Sequence, residues 1–234
     1  MSDTLAMPLP QGGPSTGRNW IRANIKAALI GAAASLAILV VGQALGAGKT
    51  DAGMIARVII VLTHLFASVA TLAAYAVLAG RVLQQKLPRF PMRIWIVLHV
   101  AAGLLIGIHG GYGALQPPAD SNELTEQLAS LPIVMGILFG GPLVGAIFGL
   151  VVGSFQALIM RSAARGLGAW IGFSVIAGML SLTLALTVAV LAFTALPSAI
   201  TTVMGEVLML ITAFFIEIIM AVVMLPAVAR LTSR

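Results

Sequence analysis

The chain has 234 residues, of which 60% are hydrophobic and only 9% are charged, and its mean hydropathy is +1.08. Soluble domains carry about 25% charged residues, so this chain cannot cover a water-facing surface and most of it faces lipid. The net charge of +6 comes without a run of consecutive basic residues, which argues against nucleic-acid binding and for contact with anionic headgroups. The absence of cysteine excludes disulfides, thiolate metal sites and a cysteine nucleophile.

The first 26 residues precede the first long apolar run. Their beginning is rich in Pro, Gly and Ser, and Arg18, Arg22 and Lys26 follow. The stretch lacks the apolar core and the cleavage site of a signal peptide. We therefore predict three regions, which are a flexible basic tail over residues 1–26, a transmembrane domain over 27–229 and a short tail over 230–234.

Six apolar segments are each long enough to cross a bilayer, which takes about 20 residues. The predicted fold is therefore all-α, a polytopic membrane protein with a bundle of six transmembrane helices. In chain order the predicted segments are Ala27–Leu45, Ala56–Ala79, Ile94–Leu115, Leu131–Met160, Ala169–Thr194 and Val203–Ala229.

The loops between these segments carry an uneven charge. Eleven of the thirteen basic residues fall before the first segment, between the second and third, between the fourth and fifth, or after the sixth. The other side has only Lys49 and Arg57, together with an acidic loop that contains Asp120, Glu123 and Glu126. The positive-inside rule then predicts that both termini are cytoplasmic. The pattern is typical of a multi-pass protein of a bacterial-type inner membrane.

The fourth segment is unusually long and contains Gly140, Gly141 and Pro142 in a row. Two interpretations stay open. One is a long, tilted helix with a proline kink, since Pro and Gly are tolerated in membrane helices. The other is a break after which Pro142 begins a new helix whose N-terminus faces a polar cavity.

The same segment carries a ladder of glycines with a spacing of four residues. Missing side chains along one face let a neighbouring backbone approach closely, so this stripe predicts a tight helix contact inside the bundle or between protomers. The predicted partners are therefore the lipid bilayer and, through this stripe, a second copy of the chain or a larger membrane complex. The helix-packing glycines are Gly141, Gly145, Gly149 and Gly153.

One carboxylate lies near the middle of the sixth segment. An ionised Glu217 would be costly there, so we expect it to be protonated, paired or in contact with water. Glu206 lies eleven residues earlier on nearly the same helix face. Gln156 of the fourth segment supplies a further hydrogen-bonding group. These three residues are the predicted site for a substrate or an ion, with the two carboxyl groups as stations on a proton or cation path.

Two histidines, His64 and His109, lie at similar depths near the same side of the second and third segments. Each can simply hydrogen-bond a neighbouring helix. Alternatively, they are the axial ligands of one haem b, with glycines around Gly107 leaving room for it. The region His64–His109 resembles the haem-bearing helices of the membrane cytochrome b561 group in its THL and WxxLH patterns and in the basic loop between them. That resemblance implies electron transfer, although the group holds two haems with four histidines and this chain has three.

The sequence carries no motif of an enzyme. Nucleophile-elbow, zinc-protease and P-loop patterns are missing, and the glycine-rich pieces lie inside an apolar span. We therefore expect a non-enzymatic protein without a cofactor, either a permease-like transport component or an accessory, scaffolding subunit. The alternative is a haem-b electron carrier that uses His64 and His109.

Overall fold

The computed structural model of the protein describes residues 14–46, 53–116, 135–195 and 198–234. These residues contain six helices that are long and apolar enough to cross a membrane, so the predicted all-α, six-helix bundle is confirmed and the chain is a multi-pass membrane protein. The helices are α1 (Pro14–Leu45), α2 (Met54–Lys86), α3 (Met92–Gly113), α4 (Gly141–Met160, preceded by a π-helical turn over Gly136–Gly140), α5 (Leu167–Ala195), α6 (Ser198–Val223) and the short α7 (Leu225–Arg230). Two short strands, β1 (Ala164–Arg165) and β2 (Thr232–Ser233), form an antiparallel pair.

The helices pack as two groups of three. In the first group α2 packs against both α1 and α3, and in the second α5 packs against both α4 and α6. The contact between α1 and α6 joins the two groups, whereas α3 and α4 touch only lightly. Large apolar side chains such as Phe66, Leu105 and Phe148 are exposed on the outer faces of the bundle. In a bilayer these faces meet lipid, so their exposure carries no cost.

Helix α1 begins well before the first predicted span. Arg18, Arg22 and Lys26 are exposed along one face, while Trp20 and Asn24 are buried on the other. This amphipathic pattern at helical spacing keeps the charged side chains in water while the opposite face of the helix packs against the bundle. The predicted flexible tail over residues 1–26 is therefore wrong for residues 14–26, which are helical. Residues 1–13 lie outside the described part of the chain.

The fourth span is one continuous helical segment. Gly140 and Gly141 both have helical backbone angles, and Pro142 lies in the first turn of α4, where its missing N–H is not needed. The π-helical turn over Gly136–Gly140 leads directly into this helix. A π turn absorbs an extra residue without ending the helix, so the structure favours the continuous helix over a break at Gly140-Gly141.

The largest buried cluster lies at one end of the bundle. We call this the basic end; it comprises the start of α1, the α2–α3 loop, the α4–α5 loop and residues 225–234, and it is the end that the positive-inside rule assigns to the cytoplasm. Trp20, Trp95 and Trp170 are almost fully buried there, and the first and last meet edge to face with ring centroids 6.0 Å apart. The other large members of the cluster are Leu83, Leu87, Phe90, Met160, Met224, Val228 and Leu231.

The sixth predicted span is divided near its end. Helix α6 stops at Val223, and α7 begins at Leu225, because Pro226 has no N–H to continue the ladder. The indole N–H of Trp20 donates a hydrogen bond of 3.0 Å to the carbonyl of Ala221 at this junction. The bond ties the first helix of the chain to the last long one.

We expect Trp20→Phe to lower the free energy of unfolding by about 1 kcal/mol, because it leaves the buried carbonyl of Ala221 without this donor. Trp95→Phe is the matched control. Trp95 is equally buried, but its indole N–H has no hydrogen-bond partner within the described residues, so Trp95→Phe loses packing but no hydrogen bond and should lower stability by less. Thermal melting of the two variants in one detergent measures the difference, and equal losses would contradict a role for the Trp20 bond.

Candidate functional site

Glu217 lies on α6 with its side chain half-buried. Among the side chains that the structure describes, it is the only acidic one. By helical rise it lies about 20 Å from the end of α7 at Arg230, and so deep within the span. A carboxyl group at this depth marks a functional position by default, because its burial must be compensated.

Tyr75 of α2 lies within electrostatic range of Glu217, although α1 packs against both of their helices and joins the two helix groups. Tyr75 packs against α3, where its ring centroid lies 5.4 Å from that of His99 and 6.4 Å from that of Trp95. The phenol and the imidazole are therefore in ring contact across α2 and α3, and the carboxyl group of α6 acts on the phenol at longer range.

The ring of His99 is held in a defined orientation. Its Nδ1 lies 2.7 Å from the carbonyl oxygen of Trp95, one helical turn earlier, and the two rings lie with their centroids 4.4 Å apart. A carbonyl only accepts hydrogen bonds, so Nδ1 carries the proton and Nε2 of a neutral ring is left with the lone pair. His99 thus presents an acceptor, and it was the histidine with no assigned role in the sequence prediction.

The indole N–H of Trp95 adds an unsatisfied donor to this group. Trp95 is 0% exposed, and its Nε1 has no hydrogen-bond partner in the described chain. A buried donor without a partner costs about 1–3 kcal/mol, so its retention calls for an explanation, of which a functional role is one. We call Glu217, Tyr75, His99 and Trp95 the polar cluster.

Gln156 of α4 does not join the polar cluster. Its side-chain oxygen accepts a hydrogen bond of 3.1 Å from the indole N–H of Trp170. By helical rise it lies about 6 Å from the end of α4 at Met160, much nearer the basic end than Glu217. Trp170 lies on α5, so this hydrogen bond links α4 to α5. The side chain of Glu206, the second predicted station, lies outside the described side chains.

The imidazole of His64 is half-buried and lies against Gly110 of α3, whereas that of His109 is exposed. Nδ1 of His64 is 2.9 Å from the carbonyl of Ile60 in its own helix. A Cβ atom at Gly107 would come within 2.6 Å of the Cα of Leu65, so α2 and α3 are in backbone contact at this level. The arrangement does not fit a porphyrin between these helices. The described residues also contain no group of three or more side chains that could hold a metal ion.

The glycines of α4 lie along its contact with α5. Gly141, Gly145, Gly149 and Gly153 are all buried. A Cβ atom at Gly145 or Gly149 would meet the backbone of α5, at Gly178 and Ser174 respectively. A second stripe, which the sequence prediction missed, lies on α3 against α2. Its members at the same spacing are Gly103, Gly107 and Gly111.

Tyr75, His99 and Trp95 are the members of the polar cluster that sequence reasoning did not assign to the site. Tyr75 is one of only two tyrosines in the chain and lies inside an apolar span, which is a usable signal for a buried hydroxyl. Trp95 precedes His99 by four residues, so their rings share one helix face. Comparison with known proteins gives no match, since no family model, no curated protein and no solved structure is similar to the chain.

Proposed function

We propose that the protein is a permease-like component of a bacterial-type inner membrane, with both termini in the cytoplasm, in which Glu217 binds a proton or a cationic solute. The observation that carries this proposal is the half-buried carboxyl group deep in the span, within electrostatic range of the phenol of Tyr75, whose ring packs on that of His99. The side-chain hydrogen bonds of Thr71 and Thr187 are made within one helix. The polar cluster instead draws its groups from three helices, through the ring contact of Tyr75 with His99 and the electrostatic effect of Glu217 on Tyr75.

Cations are the solutes that suit this site. A carboxylate in a medium of low dielectric constant attracts a cation strongly, and the faces of aromatic rings add a further attraction. A protonated carboxyl group would exchange its proton for such a cation, which couples the movement of the solute to the movement of a proton. The proposed class is therefore a proton-coupled carrier of small cations, and it acts without a cofactor.

The proposal predicts that a small cation evokes proton movement through the protein. The exchange of one proton for one monovalent cation moves no net charge, so the proton itself is the quantity to measure. We would reconstitute the protein in liposomes loaded with a pH-sensitive dye and add a panel of amines and metal cations outside. At least one member of the panel should evoke a change of internal pH, beyond that in protein-free liposomes, that Glu217→Gln abolishes, because the amide cannot exchange a proton. Glu123→Gln is the matched control, since it makes the same change in the predicted acidic loop, and it should leave the pH change intact.

An accessory, scaffolding role would give a different pattern. The wild-type protein would then show no solute-evoked pH change, and Glu217→Gln would change only the thermal midpoint. A pH change of equal size in wild type and Glu217→Gln would place the coupling group elsewhere. Both results would overturn the assignment of Glu217.

A further inference from the structure

We infer that four arginines around the two short strands form a binding site for the headgroup of an anionic phospholipid at the basic end of the bundle. The four residues, which we call the arginine cluster, are Arg161, Arg165, Arg230 and Arg234. The net charge of the chain predicts contact with anionic headgroups in general, whereas the fold gathers these four side chains at one place. The inference does not depend on the role of Glu217.

The pairing of β1 with β2 brings arginines from distant parts of the chain together. Arg161 begins the α4–α5 loop in which β1 lies, and Arg165 is the strand partner of Thr232. The backbone N–H of Arg234 donates a hydrogen bond of 3.1 Å to the carbonyl of Ala163. Diagonal positions of an antiparallel pair lie about 7–8 Å apart on one face, so the exposed side chains of Arg165 and Arg234 are neighbours.

Arg230 is held beside this strand pair by two contacts. Gly166 has a φ of +81°, and a Cβ atom there would lie 2.6 Å from the carbonyl oxygen of Arg230, so the chain before α5 touches the end of α7. The guanidinium carbon of Arg230 lies 5.7 Å from the centroid of the Phe173 ring in α5. The ring attracts one face of the guanidinium. Its N–H groups point outward in the guanidinium plane, where they can bind an anion.

The positive charges of the arginine cluster call for a negative partner. All four side chains are exposed. Among the described side chains the only carboxyl group is that of Glu217, which lies about 20 Å from Arg230 by helical rise. Like charges this close repel one another, and an anion bound between them relieves the repulsion. A guanidinium matches the oxygens of a phosphate group with two parallel hydrogen bonds, so a phosphate is the anion that suits arginines best.

The apolar surface next to the arginine cluster indicates that this phosphate belongs to a lipid. Leu158 of α4 is 55% exposed and precedes Arg161 by three residues, which is about 4.5 Å along the chain. Ile176 of α5 is 46% exposed and follows Phe173 by three residues. The lipid-facing surface therefore begins within about one turn of the cluster. Phospholipid headgroups lie at this boundary, and basic pockets between helices on the cytoplasmic side bind anionic ones.

Native mass spectrometry of the full-length protein tests the site, because it resolves each bound lipid and measures the dissociation constant of the first one. We expect the wild type to bind phosphatidylglycerol at least about tenfold more tightly than phosphatidylcholine with the same acyl chains. Each basic residue near the headgroups contributes about fivefold in affinity. The double variant Arg165→Gln/Arg234→Gln should therefore weaken the binding of the first phosphatidylglycerol by about 25-fold.

The matched control is the double variant Arg18→Gln/Arg22→Gln. It removes the same charge from exposed positions of α1, on the face opposite to the buried Trp20, and it should change the affinity by less than about twofold. The strand pair is made by backbone groups, so both variants should keep the fold, and thermal melting in lipid-free detergent checks this. Equal weakening in the two double variants would reduce the binding to net charge and overturn the site. Equal affinity of the wild type for the two lipids would overturn it as well.

Soluble competitors distinguish a lipid headgroup from other anions. Glycerol 3-phosphate carries the phosphate group without acyl chains, and polyglutamate imitates an acidic protein. Neither should displace phosphatidylglycerol from the wild type, even in large excess, because the lipid also contacts the apolar surface beside the arginine cluster. Displacement by the first would assign the cluster to a soluble phosphate ester, and displacement by the second would assign it to an acidic protein. Either result would overturn the lipid site.

Discussion

Replacing Gly149 by leucine is expected to force α4 away from α5 and to lower the thermal midpoint by about 10 °C, which corresponds to about 3 kcal/mol for a chain of this size. A Cβ atom at Gly149 would already lie 2.8 Å from the carbonyl carbon of Ser174 and 2.9 Å from the Cα of Val175. Both atoms belong to the backbone of α5, so no side chain can rotate away. The helices must separate, and the packing along the whole stripe is lost.

Gly172→Leu is the matched control for this change. Gly172 lies within α5, but nothing lies within 4 Å of a Cβ atom placed there. Leucine is the better helix former, so this variant should melt at the wild-type temperature or above it. Equal melting of the Gly149 and Gly172 variants would show that α4 and α5 do not meet at the glycine stripe.

The two glycine stripes show what spacing can and cannot predict. On α4 mostly apolar residues surround the glycines, so close packing was the evident interpretation. On α3 the stripe at Gly103, Gly107 and Gly111 adjoins His109, and the same absence of side chains suggested room for a haem. The spacing of glycines identifies a helix face without side chains but not what packs on that face. A neighbouring helix backbone and a flat cofactor both require such a face.

The polar cluster was predictable only in part. Glu217 stands out because a lone carboxyl group deep in an apolar span is costly. Its neighbours could not be derived, because Tyr75 and His99 come from helices on the far side of α1 in the packing order. Gln156 shows the same limit. Its hydrogen-bond partner is Trp170, which follows only fourteen residues later across the short α4–α5 connection, and not Glu217.

The basic end departs most from the sequence prediction. Arg18, Arg22 and Lys26 were assigned to a tail because they are charged, yet their spacing of four residues is that of an exposed helix face. Residues 230–234 were likewise predicted to be a tail. Their pattern is too short to predict a strand, and only the contact with the α4–α5 loop makes them one. Short elements that depend on a distant partner leave no periodic signal.

Deletion of residues 231–234 is expected to lower the free energy of unfolding by about 4 kcal/mol, at the upper range for the loss of one large buried side chain. Leu231 is 0% exposed within the buried cluster of the basic end. The deletion also removes strand β2 and the hydrogen bond of 3.1 Å that the Arg234 N–H donates to the carbonyl of Ala163. Thermal melting and limited proteolysis of the α4–α5 loop measure the effect.

Point variants separate the contribution of the buried side chain from that of the strand. Leu231→Ala should account for most of the loss, about 3 kcal/mol. Thr232→Ala is the control, because Thr232 keeps the strand pairing with Arg165 and its side chain is exposed, so it should have little effect. If the deletion melts like the wild type, the tail does not hold the basic end together. The basic end would then be held in part by another contact, the hydrogen bond of 2.9 Å that Lys86 of α2 donates to the carbonyl of Ala229 in α7.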